Sequence, residues 1–283
     1  MRILITGANG QLGCELRRVF ASETLILKDL PDFDLTGSQV EEDVAEARPD
    51  LIIHAGAYTD VDGAEREPDR AMAINAFGTA QVARAAVRVG ARLLYISTDY
   101  VFPGTQRHPY SEDDVPAPIN AYGLSKWRGE QVVAESGADA LIVRTAWLYG
   151  SMGKNFVKSI MRAVQTQSSL RVVDDQRGSP TSVEDLAAVI KATAAGSVRG
   201  ILHVTNRGDC TWYEFARAIV DEMNLEIPVV PISTVEAGRL APRPPYSVLG
   251  QQRLARLDLV PRDWREALNQ FVKAERALVA VHP

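Results

Sequence analysis

The chain has 283 residues, 46% of them hydrophobic and 24% charged, with a formal net charge of −5. This is the composition of an ordinary soluble globular protein; an acidic balance with no basic block argues against a nucleic acid polymer as partner, and no apolar run approaches the ~20 residues that span a bilayer. The length exceeds what one compact core usually holds, so a large domain with a smaller lobe is expected.

The opening segment, MRILITGANG, enters structure at once and lacks the basic segment and apolar run of a signal peptide, which points to the cytoplasm. Cys14 and Cys210, far apart and outside any CxxC, fit free thiols in a reducing compartment. Strands are predicted at RILIT (2–6), TLILK (24–28), DLIIHAG (50–56), RLLYIST (92–98), ALIVRTAWLY (140–149) and LRVV (170–173). Continuous apolar runs of this kind suit strands buried on both faces of a parallel sheet. Between them, helices are predicted at 11–21, 38–47, 67–89, 121–136 and 154–166. That alternation predicts an α/β fold, a doubly wound parallel sheet of Rossmann type, in residues 1–150. Residues 151–283 are expected to be mainly a smaller substrate-binding lobe, interleaved with the first domain through the strand near 170–174. There TWYEFARAIVDEM (211–223) reads as a helix with Thr211 as N-cap. The proline-rich stretch from Pro228 to Pro245 is read as a long structured loop without regular helix.

TGANGQLG (6–13) follows the first strand and opens the first helix. Gly7, Gly10 and Gly13, with Asn9, Gln11 and Leu12 between them, form a loop that can turn tightly and let the backbone approach a pyrophosphate, with the helix N-terminus facing the phosphates. Its position between a strand and a helix predicts dinucleotide binding, and the lack of GKS or GKT sets aside a nucleotide-hydrolysing P-loop. Asp29, at the end of the second strand, is placed to bind the adenosine ribose; an acid there favours NADH, while Lys28 beside it leaves NADPH open. Thr98 ends the strand RLLYIST on the rim where open α/β sheets bind ligands. Tyr122 and Lys126 of NAYGLSK are four apart, which on a helix places them on one face, roughly 5–6 Å apart at Cβ. A hydroxyl at Thr98 with that pair makes a carbonyl-reducing site.

TGANGQLG, STDYVFPG, YGLSK and RTAWLYG together resemble the extended short-chain dehydrogenase/reductase family. The likeness continues through HAGAYTDVDGAE (54–65), AINAFGT (73–79), DDQRGSPT (174–181) and RPPYSVL (243–249), nearly the whole chain, and STDYVFPG followed by RTAWLYG is similar to the branch acting on dTDP-linked 4-keto sugars. The resemblance implies hydride transfer from NADPH or NADH to the 4-keto carbon of dTDP-4-dehydro-L-rhamnose. Tyr122 would donate the proton, Lys126 would lower the phenol pKa and hold the nicotinamide ribose, and Thr98 would hydrogen-bond the carbonyl. It further implies that Asp99, Tyr100, Val101 and Trp147 line the sugar pocket, and that Arg243 meets the substrate diphosphate. Ala55, Ala57, Tyr58 and Thr145 would pass along the cofactor, Asn75 would support that wall, and Asp34 and Leu35 would lie near the adenine.

Two positions depart from the family pattern: Tyr246 precedes Ser247 where Asn is frequent, and His54 stands where Asn is common. Some members bind Mg²⁺ at a dimer interface through C-terminal glutamates; Glu266 and Glu275 are the candidates here, no metal is assigned, and a homodimer is left open. The rival readings are another nucleotide-sugar reductase or epimerase, and a cofactor-binding regulatory subunit resembling that of methionine adenosyltransferase.

Overall fold

The structure is a computed structural model that describes the backbone of residues 1–281 and side chains through Ala277. Its centre is a six-stranded parallel sheet. In chain order the first five strands are β1 (Arg2–Thr6), β2 (Thr24–Lys28), β3 (Leu51–His54), β4 (Arg92–Thr98) and β5 (Ala140–Thr145). Gly200–His203 adds the sixth against β5, while β2 and β3 pair on opposite sides of β1. The strand order therefore reverses beside β1, and a crevice opens there at the carboxyl ends of the strands. β3 and β4 are buried throughout, as their unbroken apolar runs require.

Helices close both faces. On one side Leu12 and Leu16 of the helix Gln11–Val19 meet Leu186 and Ile190 of the helix Val183–Ala194 over Ile3, Ile5 and Ile53. On the other, Val44, Val82, Ala86 and Val133 pack over Leu4, Ile52 and Leu93. A second lobe has its own core of Val157, Ile160, Leu170, Phe215, Ile219, Trp264 and Phe271.

Several elements differ from expectation. Leu170–Val173 does not join the central sheet; it pairs in parallel with Val229–Ile232 inside the second lobe. The segment that interleaves the lobes is instead Val183–His203, which returns to the Rossmann sheet after the chain has begun the second lobe. The proline-rich stretch is not all loop: it contains that strand, Val229–Ile232, and a helical turn, Thr234–Ala237, closed by a Ser233–Glu236 capping box. Pro231 is compatible with a strand that has a neighbour on one side only. The predicted strand 140–149 breaks at Ala146–Trp147, and 67–89 divides into Pro68–Met72, a π-helical turn Ala73–Gly78 and Thr79–Val89. Among the described residues no helix is long and apolar enough to cross a membrane. Cys14 and Cys210 are both free thiols.

Candidate active site

The glycine loop is shaped by contact with the exit of β3. Gly7 has φ +65°, and a Cβ there would lie 2.7 Å from Gly56 Cα; one on Gly13 would lie 2.1 Å from the Gly7 carbonyl oxygen. No larger residue fits either position. Gly10 precedes the helix Gln11–Val19 without a side-chain cap, so the helix N–H groups face the crevice unused. Asp29 accepts from the backbone N–H of Asn9 at 2.7 Å and of Leu30 at 2.8 Å, tying the end of β2 to the loop. Gln11 accepts from Asn155 at 3.0 Å, and Leu12 is buried in the core.

The far wall of the crevice follows β3. Ala55 and Ala57 are half-buried there, and Asn75 clamps Tyr58 by accepting from its N–H at 2.8 Å and donating to its carbonyl at 3.0 Å. The same amide donates to Ser125 at 2.9 Å on the helix Ala121–Glu135. Leu35 is buried against Gly56 and Gly78, and Asp34 accepts from the Thr36 N–H and hydroxyl, which lowers its pKa. Thr145 lies in register beside Thr98, and its buried hydroxyl has no hydrogen-bond partner among the described residues.

Thr98 ends β4 at the rim, accepting from the Tyr100 N–H at 3.2 Å and donating to Asp99 at 3.0 Å. Tyr122 and Lys126 lie on the helix Ala121–Glu135, capped by Asn120, which accepts from Gly123 N–H at 2.7 Å. Gly123 makes the approach of this helix feasible, since a Cβ there would lie 2.1 Å from the Tyr100 carbonyl oxygen. Tyr122 then meets the Tyr100 ring edge-on at 5.9 Å. Burial pushes the Tyr122 phenol up to about 12, and the neighbouring Thr98 hydroxyl pulls the other way.

Lys126 is buried; its ammonium donates to the Ile96 carbonyl at 2.7 Å and lies 4.2 Å above the Tyr95 ring. Burial lowers its pKa to about 7, opposed by Glu130. The expected lowering of the Tyr122 pKa by Lys126 is therefore not what this geometry does. The ammonium is spent on a carbonyl and a ring, and desolvation dominates the phenol. Beneath it Glu130 makes a buried two-point ion pair with Arg144, at 2.8 and 2.6 Å, and accepts from Ser97 at 2.6 Å.

Of the residues expected at the sugar end, Asp99 is buried and accepts from Thr98 and, at 2.5 Å, from Ser247, with burial raising its pKa to about 7. Val101 is fully buried among Phe102, Tyr110 and Leu249. It supports the wall from behind, because an inward-pointing aliphatic side chain gains more in that apolar cluster than at a wet rim. Tyr100 and Trp147 are half-buried. Arg243 donates at 2.6 Å to Asp62, within a segment also held by Asn120, which donates to the Pro242 carbonyl at 2.9 Å. Trp147 has φ +47°, a conformation that costs a bulky residue on the order of 1–3 kcal/mol and persists only where its surroundings enforce it.

Sequence reading missed Asn120, Ser125, Asp62, Glu130 and Arg144. Two carried a local signal: Asn120, the N-cap whose partner Gly123 lies three residues on, and Glu130, spaced four from Lys126 on one helix face; Ser125, Asp62 and Arg144 act here through partners distant in the chain. For a metal, Glu266 is exposed and Glu275 pairs with Lys158 at 3.5 Å; among the described residues no three His, Cys, Asp or Glu side chains converge.

Comparison with known proteins places this geometry among relatives. The model of the family described as RmlD substrate binding domain matches residues 1–277. A dTDP-4-dehydrorhamnose reductase of Mycobacterium tuberculosis is 42% identical over 277 residues, 94% of this chain and 91% of the relative. The spore coat polysaccharide biosynthesis protein SpsK of Bacillus subtilis is 41% identical, over 96% of this chain and 97% of its own. The crystal structure of dTDP-4-dehydrorhamnose reductase from Bacillus anthracis in complex with NADP superposes with a TM-score of 0.92 at 46% identity, covering 95% of this chain and 98% of that one.

Proposed function

This chain belongs to the RmlD family, and on that premise we propose that it is an NAD(P)H-dependent reductase of the 4-keto group of dTDP-4-dehydro-L-rhamnose, working in the cytoplasm, where its two thiols stay reduced. The observation that supports the reading is that the helix carrying Tyr122 and Lys126 packs on the strand that ends at Thr98, with Lys126 donating to the Ile96 carbonyl and Tyr122 edge-on to the Tyr100 ring. A dinucleotide fits the crevice by two features: the uncapped helix N-terminus behind Gly10, suited to a diphosphate, and the unpartnered Thr145 hydroxyl, suited to a polar ring substituent. The loop residues Gly7, Asn9, Gly10, Gln11, Leu12 and Gly13 would hold the diphosphate. Asp29, Asp34 and Leu35 would hold the adenosine end, and Ala55, Ala57, Tyr58 and Asn75 the far wall.

The reduced nicotinamide supplies the hydride. Tyr122 supplies the proton to the forming alkoxide; with its pKa near 12 the phenol is fully protonated at neutral pH. Thr98, at the end of β4 beside that phenol, would orient the carbonyl oxygen. Lys126, whose ammonium donates to the Ile96 carbonyl, would contact the nicotinamide ribose with its remaining N–H groups. Tyr100 and Trp147 would bound the sugar. Arg243, already paired with Asp62, would offer its remaining N–H groups to the substrate diphosphate.

The test is consumption of reduced cofactor, followed by its nicotinamide absorbance, with dTDP-4-dehydro-L-rhamnose and with NADH and NADPH in parallel. Turnover is expected, and Tyr122→Phe should lose roughly 10²–10⁴ of it while retaining cofactor affinity. Cofactor binding without turnover in the unaltered protein, or full turnover by Tyr122→Phe, would refute the proposal.

A further inference from the structure

Asp62 lies in the first turn of the short helix Val61–Arg66 and meets a segment far along the chain. Its Oδ1 atom accepts from the Arg243 guanidinium at 2.6 Å and from the Ala241 N–H at 3.0 Å, while Oδ2 faces Arg239 at 3.9 Å. The Asp62 and Arg243 side chains are only 20% and 13% exposed, whereas Arg239 is 64% exposed. A shielded, short ion pair holds its geometry; the long, exposed one contributes little. The helix is itself anchored to the site, because Glu65 accepts from the Ala121 N–H at 2.7 Å, one residue before Tyr122.

Arg239–Pro245 forms a strap that is held at further points. Asn120 donates to the Pro242 carbonyl at 2.9 Å, and the Pro245 carbonyl accepts from the Arg177 N–H at 2.9 Å. Pro244 and Pro245 press on Gly104, where a Cβ would lie 2.7 Å from either ring. Leu240 is exposed, so polar contacts rather than that apolar side chain hold the start of the strap. Arg243 donates from Nη1 both to Asp62 and to the Ala241 carbonyl, which leaves Nε and Nη2 to donate elsewhere. The guanidinium stands beside the Tyr100 phenol, opposing the rise in pKa that burial gives it, and Tyr100 in turn meets the Tyr122 ring.

We infer that Asp62 is a positioning residue: it fixes the Arg243 guanidinium, and the strap that carries it, in readiness for a nucleoside diphosphate. This rests on the proposed function, which gives Arg243 the substrate diphosphate. Two effects oppose each other at Asp62. Its charge repels a diphosphate, while its bonds hold a long side chain and a loop in one arrangement before binding. The repulsion is offset by Arg243 itself and screened by solvent, whereas ordering a free arginine and its loop would oppose every binding event. Preorganisation therefore outweighs repulsion, and loss of Asp62 weakens the diphosphate end while the cofactor end keeps its affinity.

The experiment uses the full-length protein and reads three quantities. Calorimetry gives the Kd of dTDP, steady-state kinetics gives KM and kcat for dTDP-4-dehydro-L-rhamnose, and fluorescence titration gives the Kd of reduced cofactor. Asp62→Ala should raise the dTDP Kd and the KM about tenfold, lower kcat by less than about threefold and leave the cofactor Kd unchanged. Both bonds from the strap end on Oδ1, so Asp62→Asn keeps their acceptor and should raise the dTDP Kd only about threefold. Arg243→Ala should weaken dTDP at least as much as Asp62→Ala, and combining the two should add less than about twofold, because one acts through the other. An unchanged dTDP Kd in either alanine variant, a tighter one in Asp62→Ala, or full additivity of the pair would each overturn the inference. So would failure of the unaltered protein to bind dTDP. If Asp62→Ala misfolds, shown by lost cofactor affinity, Asp62→Asn decides: its effect on dTDP should vanish in the Arg243→Ala background, and its persistence there overturns the inference. Binding of dTDP without turnover in the unaltered protein is a separate result, which strikes the proposed function and leaves the dTDP Kd as the measure of Asp62.

Discussion

His54 shows how one residue can be chemically quiet and still govern stability. It is fully buried between the hydroxyls of Thr6 and Thr79, at 2.6 and 3.0 Å, and burial, with the Lys126 charge adding, lowers its pKa to about 3. Between pH 6.5 and about 3 the unfolded chain therefore binds a proton that the folded one refuses. Its contribution is complete above pH 6.5 and is lost as pH falls. His203, buried beside Arg144, acts in the same direction. His54→Asn keeps an amide able to bond both hydroxyls but removes the titration. The variant should lose about 1.4 kcal/mol less stability per pH unit below pH 6, measured by urea unfolding at a series of pH values. An unchanged slope would mean that His54 is not held neutral.

At the scale of the element, the helix Ala121–Glu135 is the means by which the site is assembled. Asn120 starts it, Gly123 lets it approach the turn Asp99–Val101, and Ser125 and Glu130 tie it to Asn75 and Arg144. Gly123→Ala would put a methyl against the Tyr100 carbonyl and force the helix outward. We expect a stability loss of about 1–3 kcal/mol from overpacking. Turnover should fall about 100-fold, because displacement of Tyr122 from Thr98 by the order of 1 Å is enough to misalign proton transfer. Thermal unfolding and kcat check the two parts separately, and normal kcat in a destabilised variant would show that the close approach serves packing alone. The spacing of Tyr122 and Lys126 was legible in the sequence because both lie on one helix. The partners of Lys126, the Ile96 carbonyl and the Tyr95 ring, were not, because they belong to a strand that reaches it through the fold.

For the whole molecule, the return of Val183–His203 to the first sheet makes the lobes interdependent. A chain ending at residue 150 would expose the edge of β5 and uncover the face on which Leu186 and Ile190 pack. Such a fragment should show no cooperative unfolding transition and no reduced-cofactor binding, by calorimetry and fluorescence, even though it contains the glycine loop and the Thr98–Tyr122–Lys126 set. A folded fragment that binds cofactor would show the second crossing to be dispensable.

Local chemistry alone determined the parallel strands, whose apolar runs admit no solvated face, the glycine loop, whose positions exclude a Cβ, and the Tyr122–Lys126 helix. Thr211 was readable as a cap for the same reason, since its partner Glu214 lies only one helical turn away. Tertiary structure decided which sheet each strand joins, that Val101 turns inward, that Lys126 faces a carbonyl, and that Asp62 holds Arg243. Those outcomes depend on residues far apart in the chain, and pairing across such distances is chosen by the packing of whole faces, which no local pattern encodes.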